Sequence, residues 1–73
     1  MKKTIMLFAG TTEGRRICEF LAVKKCITHV YVTTEYGKEL LPGQNNVHIH
    51  VGKMDEKQMS DEISVIHPDI VID

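Results

Sequence analysis

Residues 4–16 read TIMLFAGTTEGRR: a short apolar run leads into a turn of glycine and threonine, and a helical pattern follows at once. A strand, a tight turn and a helix N-terminus in this order form an anion-binding element. The first backbone N–H groups of the helix have no partner within it, and the helix dipole favours negative charge there. The stretch therefore predicts a phosphate-binding turn, with Thr11 or Thr12 as the N-cap and a helix over 13–25.

Strands and helices alternate after this unit. The patterns predict strands over 4–9, 28–33, 47–51 and 69–72, with helices over 13–25, 35–41 and 56–66. Such alternation implies a parallel sheet with right-handed crossovers. We therefore expect an α/β, Rossmann-like three-layer fold with a four-stranded parallel sheet in the order 3-2-1-4.

Two local signals refine this prediction. In the first strand, Met6 and Phe8 should face one layer, and Ile5 and Leu7 the other. Asp55 is a good N-cap for the helix over 56–66, with Gln58 placed to complete a capping box. His67-Pro68 should end that helix, because the residue before proline avoids the helical region.

Length and composition exclude several classes. The 73 residues form one small domain at most, and the net charge of −1 argues against nucleic acid as a partner. No stretch is long and apolar enough to predict a membrane span. The two cysteines, Cys18 and Cys26, match no metal or redox spacing, so we expect them in the core of a cytoplasmic protein.

The dinucleotide fingerprint, Gly-x-Gly-x-x-Gly, falls on Ala9, Thr11 and Gly14, with an additional glycine at Gly10. Only the third glycine matches, but the strand before and the helix after support the assignment. The alternative is a tight turn without a ligand.

The ribose ligand of such a site is expected at the end of the second strand. Glu35 there could bind a pair of ribose hydroxyls. Thr33 and Thr34 could instead accommodate a 2′-phosphate, helped by Arg15 or Arg16. The alternative for the two arginines is a solvated helix surface.

The four histidines predict no metal centre. His48 and His50 should point to the same side of their strand, but two ligands do not make a closed site. His29 and His67 have no partner that the sequence reveals.

Four segments, LFAGTTEGR (7–15), TEYG (34–37), VGKMD (51–55) and IVID (70–73), resemble in order and spacing the N-terminal part of precorrin-6A reductase. That family includes the cobalt-precorrin counterpart, and it commonly has a glycine where this chain has Ala9. The resemblance implies an oxidoreductase of cobalamin (vitamin B12) biosynthesis. It would transfer hydride from NADPH, or from NADH, to a double bond of the precorrin-6A or cobalt-precorrin-6A macrocycle.

The resemblance also implies roles for residues, by position. The pyrophosphate loop would comprise Gly10, Thr11, Thr12 and Gly14, with Arg15 beside it; Thr34, Glu35 and Tyr36 would lie near the adenosine; and Gly52 and Lys53, followed by Met54, would line the same cleft. No catalytic residue is implied. The family has two Rossmann-like domains, and residues 1–73 would match only most of the first, so we expect weak or absent turnover from this chain alone.

Two other hypotheses stay open. One is a different NAD(P)-binding reductase or epimerase on the same fold. Those proteins favour a Tyr-x-x-x-Lys pair, whereas Tyr31 and Tyr36 are followed four residues later by Glu35 and Leu40. The other is a non-catalytic module that self-associates through the exposed edge of its fourth strand.

Overall fold

A computed structural model describes residues 2–9 and 12–72. Its elements run β1 (Lys3–Phe8), α1 (Thr12–Ala22), β2 (Cys26–Val32), α2 (Glu35–Glu39), β3 (Val47–Val51), α3 (Glu56–Ile66) and β4 (Ile70–Ile72). The strands form one parallel sheet in the order β3-β2-β1-β4. This order confirms the predicted doubly wound α/β fold, in which the first and fourth strands are neighbours.

The two faces of the sheet carry different side chains. On the face that α1 covers, Leu7 and Val30 are fully buried and pack with Cys18 of α1. On the other face, Tyr31 of β2 contacts Glu62 of α3. Ile5 and Leu7 belong to the α1 side, as predicted from the alternation of the first strand.

The helix α1 ends at Ala22, so the prediction that it continues to residue 25 was wrong, and β2 begins two residues earlier than expected. The cause is a long-range cap. The side-chain amide of Asn46, in the turn before β3, donates to the carbonyls of Ala22, Lys24 and Cys26 at 3.2, 3.3 and 3.0 Å. The Ala22 carbonyl, in the last turn of the helix, needs a partner from outside it, and Asn46 supplies one. The same amide also joins the turn at Lys24 and the start of β2 at Cys26.

The predicted capping box of α3 is confirmed. The Gln58 backbone N–H donates to Asp55 Oδ1 at 2.8 Å, and the Asp55 backbone N–H donates to Gln58 Oε1 at 2.9 Å. The helix ends at its C-cap, His67, which adopts the left-handed conformation with φ 52° rather than an extended one. The predicted end is therefore correct, and the backbone there takes the C-terminal geometry that usually favours glycine.

The fourth strand lies at one edge of the sheet. Asp69 joins it to β1 twice: its backbone N–H donates to the Thr4 carbonyl, and its carboxylate accepts from the Thr4 N–H at 2.8 Å. Ile70 and Val71 are 49% and 45% exposed, so this edge is only partly covered.

Candidate functional site

A cleft of about 400 Å³ opens at the carboxyl ends of β1, β2 and β3. Its walls come from the last residues of these strands, from the segment after β3 and from α3; they are Phe8, Ala9, Tyr31, Val32, Thr33, Gly52, Lys53, Met54 and Met59. Ligands of open α/β sheets bind outside the carboxyl ends of the strands, and this volume lies within the usual range of small-molecule sites. Among the described residues the lining is mostly apolar, and Lys53 is its one cationic side chain.

The head of α1 lies directly beside this cleft. A Cβ atom on Gly14 would lie 2.9 Å from the Ala9 Cα and 3.0 Å from the Ala9 Cβ, too close for any real contact. The absence of a side chain at Gly14 therefore lets the first turn of α1 pack against the end of β1. This close helix–strand packing is the function that the third glycine has in dinucleotide-binding turns.

The residues predicted for the pyrophosphate fall partly outside the described residues, since Gly10 and Thr11 are not among them. Thr12 is the first residue of α1 and is exposed, so it lies in the first helical turn rather than at the N-cap. Arg15 is half-buried, and its Nε is buried without a hydrogen-bond partner. Arg16 is exposed.

The residues predicted for the adenosine lie just beyond the cleft rather than in its walls. Thr34 caps α2, where its Oγ1 accepts from the Gly37 N–H at 3.0 Å. Glu35 and Tyr36 begin α2 and are exposed, Tyr36 at 69%. The neighbouring Thr33, at the end of β2, does line the cleft.

The segment after β3 reaches the cleft, where Gly52, Lys53 and Met54 are among the lining residues. The Gly52 N–H donates to the Val32 carbonyl at 2.9 Å and so continues the β2–β3 ladder by one bond. Gly52 has φ 139°, a conformation that other residues rarely adopt, and a Cβ there would meet nothing within 4 Å. Glycine thus allows the chain to leave β3 at this point and to present Lys53.

Two lining residues of the cleft, Phe8 and Tyr31, belong to an aromatic stack that the sequence did not reveal. The Tyr31 ring lies 5.1 Å from Phe8 and 4.6 Å from His50, with planes 24° and 12° apart. Its hydroxyl donates to Glu62 Oε2 of α3 at 2.9 Å. Burial and this hydrogen bond to Glu62 raise the pKa of Tyr31 well above its usual value. The period-two alternation of β2 is enough to place Tyr31 on the α3 face. It does not identify the residues that Tyr31 contacts there.

A second cavity of about 360 Å³ continues from the cleft beneath α3, sharing Tyr31 and Met54 with it. Its other lining residues are polar: His50, Gln58, Asp61 and Glu62. The two cavities leave α3 only lightly packed, since none of its residues is fully buried.

The histidines on this face are in contact, which corrects the expectation that His29 has no partner. His29 Nδ1 lies 3.1 Å from His50 Nε2, and the His29 and His48 ring centroids are 5.0 Å apart. His48 and His50 share one side of β3, as predicted. Within residues 2–9 and 12–72, no group of three or more histidine, cysteine or acidic residues is arranged to hold a metal ion.

The two cysteines are core residues, and Cys18 offers no nucleophile at neutral pH. Both are free and buried, which confirms their predicted place in the core. Burial, with a smaller contribution from the charge of Glu19, raises the pKa of the Cys18 thiol to about 11. A thiol with this pKa stays protonated and unreactive near neutrality.

The comparison with protein families gives a match over nearly the whole chain. Residues 4–73 match the family described as precorrin-6x reductase CbiJ/CobK. The chain belongs to this family. Searches of curated proteins and of solved structures gave no match. The family is one of reductases of cobalamin biosynthesis, so its members are oxidoreductases that act on precorrin-6x.

The close packing of Gly14 on Ala9 sets the first turn of α1 beside a residue of the cleft wall. The described lining of the cleft is mostly apolar and includes one lysine, Lys53. In residues 2–9 and 12–72, no helix has both the length and the apolar character needed to cross a membrane.

Proposed function

We propose that residues 1–73 form the nucleotide-binding part of a pyridine-nucleotide-dependent precorrin-6x reductase, with NADPH as the cofactor and NADH as the alternative. The observation that carries the proposal is the cleft at the carboxyl ends of β1–β3, in a chain whose residues 4–73 match this reductase family. The reduced nicotinamide would supply the hydride that reduces a double bond of precorrin-6A or cobalt-precorrin-6A.

The adenosine half of the nucleotide fits the cleft best, because the base would lie among its apolar walls, over β1–β3. Thr33 and Lys53 border this space, and Lys53 would neutralise a 2′-phosphate. Thr34, Glu35 and Tyr36 follow Thr33 and remain candidates for the ribose contacts.

The pyrophosphate would lie at the head of α1, over Gly10, Thr11, Thr12 and Gly14, with Arg15 nearby. The negative charge would be stabilised there by the N-terminal dipole of an eleven-residue helix.

The tetrapyrrole does not fit this space. A macrocycle of four linked pyrrole-derived rings with carboxylate side chains is far larger than a cleft of about 400 Å³, and the second cavity beneath α3 carries two carboxylates that would repel it. We therefore propose that residues 1–73 bind nucleotide but turn over precorrin-6x weakly or not at all.

A cytoplasmic location stays a prediction.

Saturation-transfer NMR on the chain with NADPH, and separately with NADH, tests the nucleotide site. A Lys53→Met variant removes the cation found among the described lining residues and keeps the length of the side chain. Lys57→Met is the matched control, because Lys57 is exposed on α3 and does not line the cleft.

We expect transfer to the adenine protons of NADPH in the wild-type chain and in Lys57→Met. Loss of a charged contact worth about 1.5–3 kcal/mol should weaken NADPH binding roughly tenfold or more in Lys53→Met. NADH, which lacks the 2′-phosphate, should be affected much less. Absence of saturation transfer from folded protein to either nucleotide would refute the proposal. Equal losses in the two lysine variants would remove the assigned role of Lys53.

A further inference from the structure

Two histidines form a direct hydrogen bond between neighbouring strands. His29 of β2 and His50 of β3 approach with Nδ1 and Nε2 at 3.1 Å. Their ring centroids are 5.4 Å apart, and their planes differ by 25°. The two nitrogens are close, while the ring centroids are far apart and the ring planes are nearly parallel. The rings therefore meet edge to edge. In this arrangement the nitrogen lone pair of one ring faces the N–H of the other.

Such a bond depends on protonation. A neutral imidazole has one donor nitrogen and one acceptor nitrogen, whereas an imidazolium has two donors. The bond between His29 and His50 therefore persists when neither ring, or only one, is charged. When both rings are protonated, two N–H groups and two positive charges face each other across 3.1 Å, and the bond must break.

The surroundings favour the neutral form of His29. Burial, and then the charges of His48 and His50, lower the pKa of His29, while Glu62 acts weakly in the opposite direction. On β1, the same face carries only Thr4, Met6 and Phe8, which do not titrate. The titratable groups that face the pair are His48 and Tyr31 from the strands and Asp61 and Glu62 from α3.

The pair is connected to the cleft. The His50 ring packs on Tyr31, which lines the cleft, and the strand that carries His50 continues into Gly52 and Lys53. Because β3 is an edge strand that pairs only with β2, its opening breaks a single strand ladder and exposes Val47, the core residue at its start.

We propose that the His29–His50 hydrogen bond is a proton-operated latch, which holds β3 against β2 when at least one ring is neutral and releases the strand and its side of the cleft when both are protonated. The proposal rests on the geometry of the two rings and is independent of the nucleotide assignment. Its direction follows from linkage. His29 has a lowered pKa in the folded state, so its stabilising contribution is present above its usual value of 6.5 and is lost as the pH falls through the lowered pKa.

Amide hydrogen exchange of β3 measures the latch directly. Exchange rates corrected for intrinsic exchange give the opening equilibrium constant of the Val47–Val51 amides. We expect this constant to rise roughly fivefold or more as the pH falls from about 7.5 to about 5. This is the effect expected for loss of one hydrogen bond. In His50→Gln, the side-chain amide offers a donor and an acceptor that do not titrate. This variant should lose most of the pH dependence and fold as the wild type does.

Two controls separate the latch from a general effect of histidine charge. His48→Gln removes a neighbouring imidazole and keeps the His29–His50 bond, so it should retain most of the pH dependence. His67→Asn removes a distant histidine from a left-handed backbone position that asparagine tolerates. This variant should retain the full pH dependence of β3 opening. The latch is refuted if His50→Gln keeps the wild-type pH dependence, or if His48→Gln abolishes it as completely.

Imidazole ¹⁵N spectra of the wild-type chain decide the question even if a variant fails to fold. At about pH 7.5 we expect one protonated nitrogen between His29 Nδ1 and His50 Nε2, and two separated titration steps for the pair. Independent titration of both rings at a common pKa near the ordinary histidine value would overturn the proposal.

Discussion

The substitution Gly14→Ala tests how the head of α1 is held against the sheet. The added Cβ would lie 2.9 Å from the Ala9 Cα, whereas unstrained carbon contacts are about 3.5–4.0 Å. The first turn of α1 must therefore move away from β1 by roughly 0.6 Å or more, and the atom in its way belongs to the backbone, which cannot rotate aside.

The magnitude follows from two opposing terms. Overpacking of this kind costs about 1–3 kcal/mol, and alanine in place of glycine returns up to about 1 kcal/mol of helix propensity. We expect a net loss of roughly 1–2 kcal/mol in the free energy of unfolding. For so small a domain this loss is a large fraction of the total stability.

Urea denaturation of Gly14→Ala beside a matched variant, Gly43→Ala, measures this loss. Gly43 has no atom within 4 Å of its added Cβ and no positive φ, so alanine there should be neutral or stabilise by about 0.4–1 kcal/mol. In the double variant Ala9→Gly/Gly14→Ala, stability should recover only in part, because the contact with the Ala9 Cβ is removed and that with its Cα remains. If Gly14→Ala is as stable as Gly43→Ala and its m-value is unchanged, Gly14 does not pack closely against Ala9 and this explanation is refuted.

Two further predictions concern groups in the core and at the end of α1. Asn46→Ala should cost about 1–2 kcal/mol in urea denaturation, because the carbonyls that it caps lose their donor, whereas the exposed Asn45→Ala should change stability by less than about 0.5 kcal/mol. Equal effects of the two substitutions would argue against the cap. The pKa of Cys18 is raised from 9.0 to about 11, so stability that is present below pH 9 should be lost as the pH rises to about 11. The dependence of the melting temperature on pH in this interval should be shallower in Cys18→Ala than in the wild type, and parallel curves would contradict the burial of the thiol.

The sequence predicts the fold well because the relevant signals are local. Alternation in β1 places Leu7 in the core, the capping box of Asp55 marks the start of α3, and the order of elements leaves one reasonable sheet topology. The end of α1 was predicted wrongly because the cap that ends it, Asn46, lies more than twenty residues away.

The candidate site was predictable only in outline. Gly52 and Lys53 line the cleft, and their role in binding a ligand stays a prediction. The stack of Phe8, Tyr31 and His50 depends on the register between three strands, which no local pattern encodes. The contact between His29 and His50 has the same origin. Thr34 follows the end of β2 by two residues, and its hydroxyl caps α2. The residue type alone does not distinguish such a cap from a ligand contact.

The most direct test of the nucleotide site is a ¹H–¹⁵N NMR titration of the chain with NADPH. The account predicts that the largest amide shifts cluster at the carboxyl ends of the strands and the head of α1, in Ala9, Gly14, Thr33, Gly52 and Lys53. Shifts confined to the far end of the sheet, around Lys3 and Cys26, or no shifts at saturating nucleotide, would contradict it.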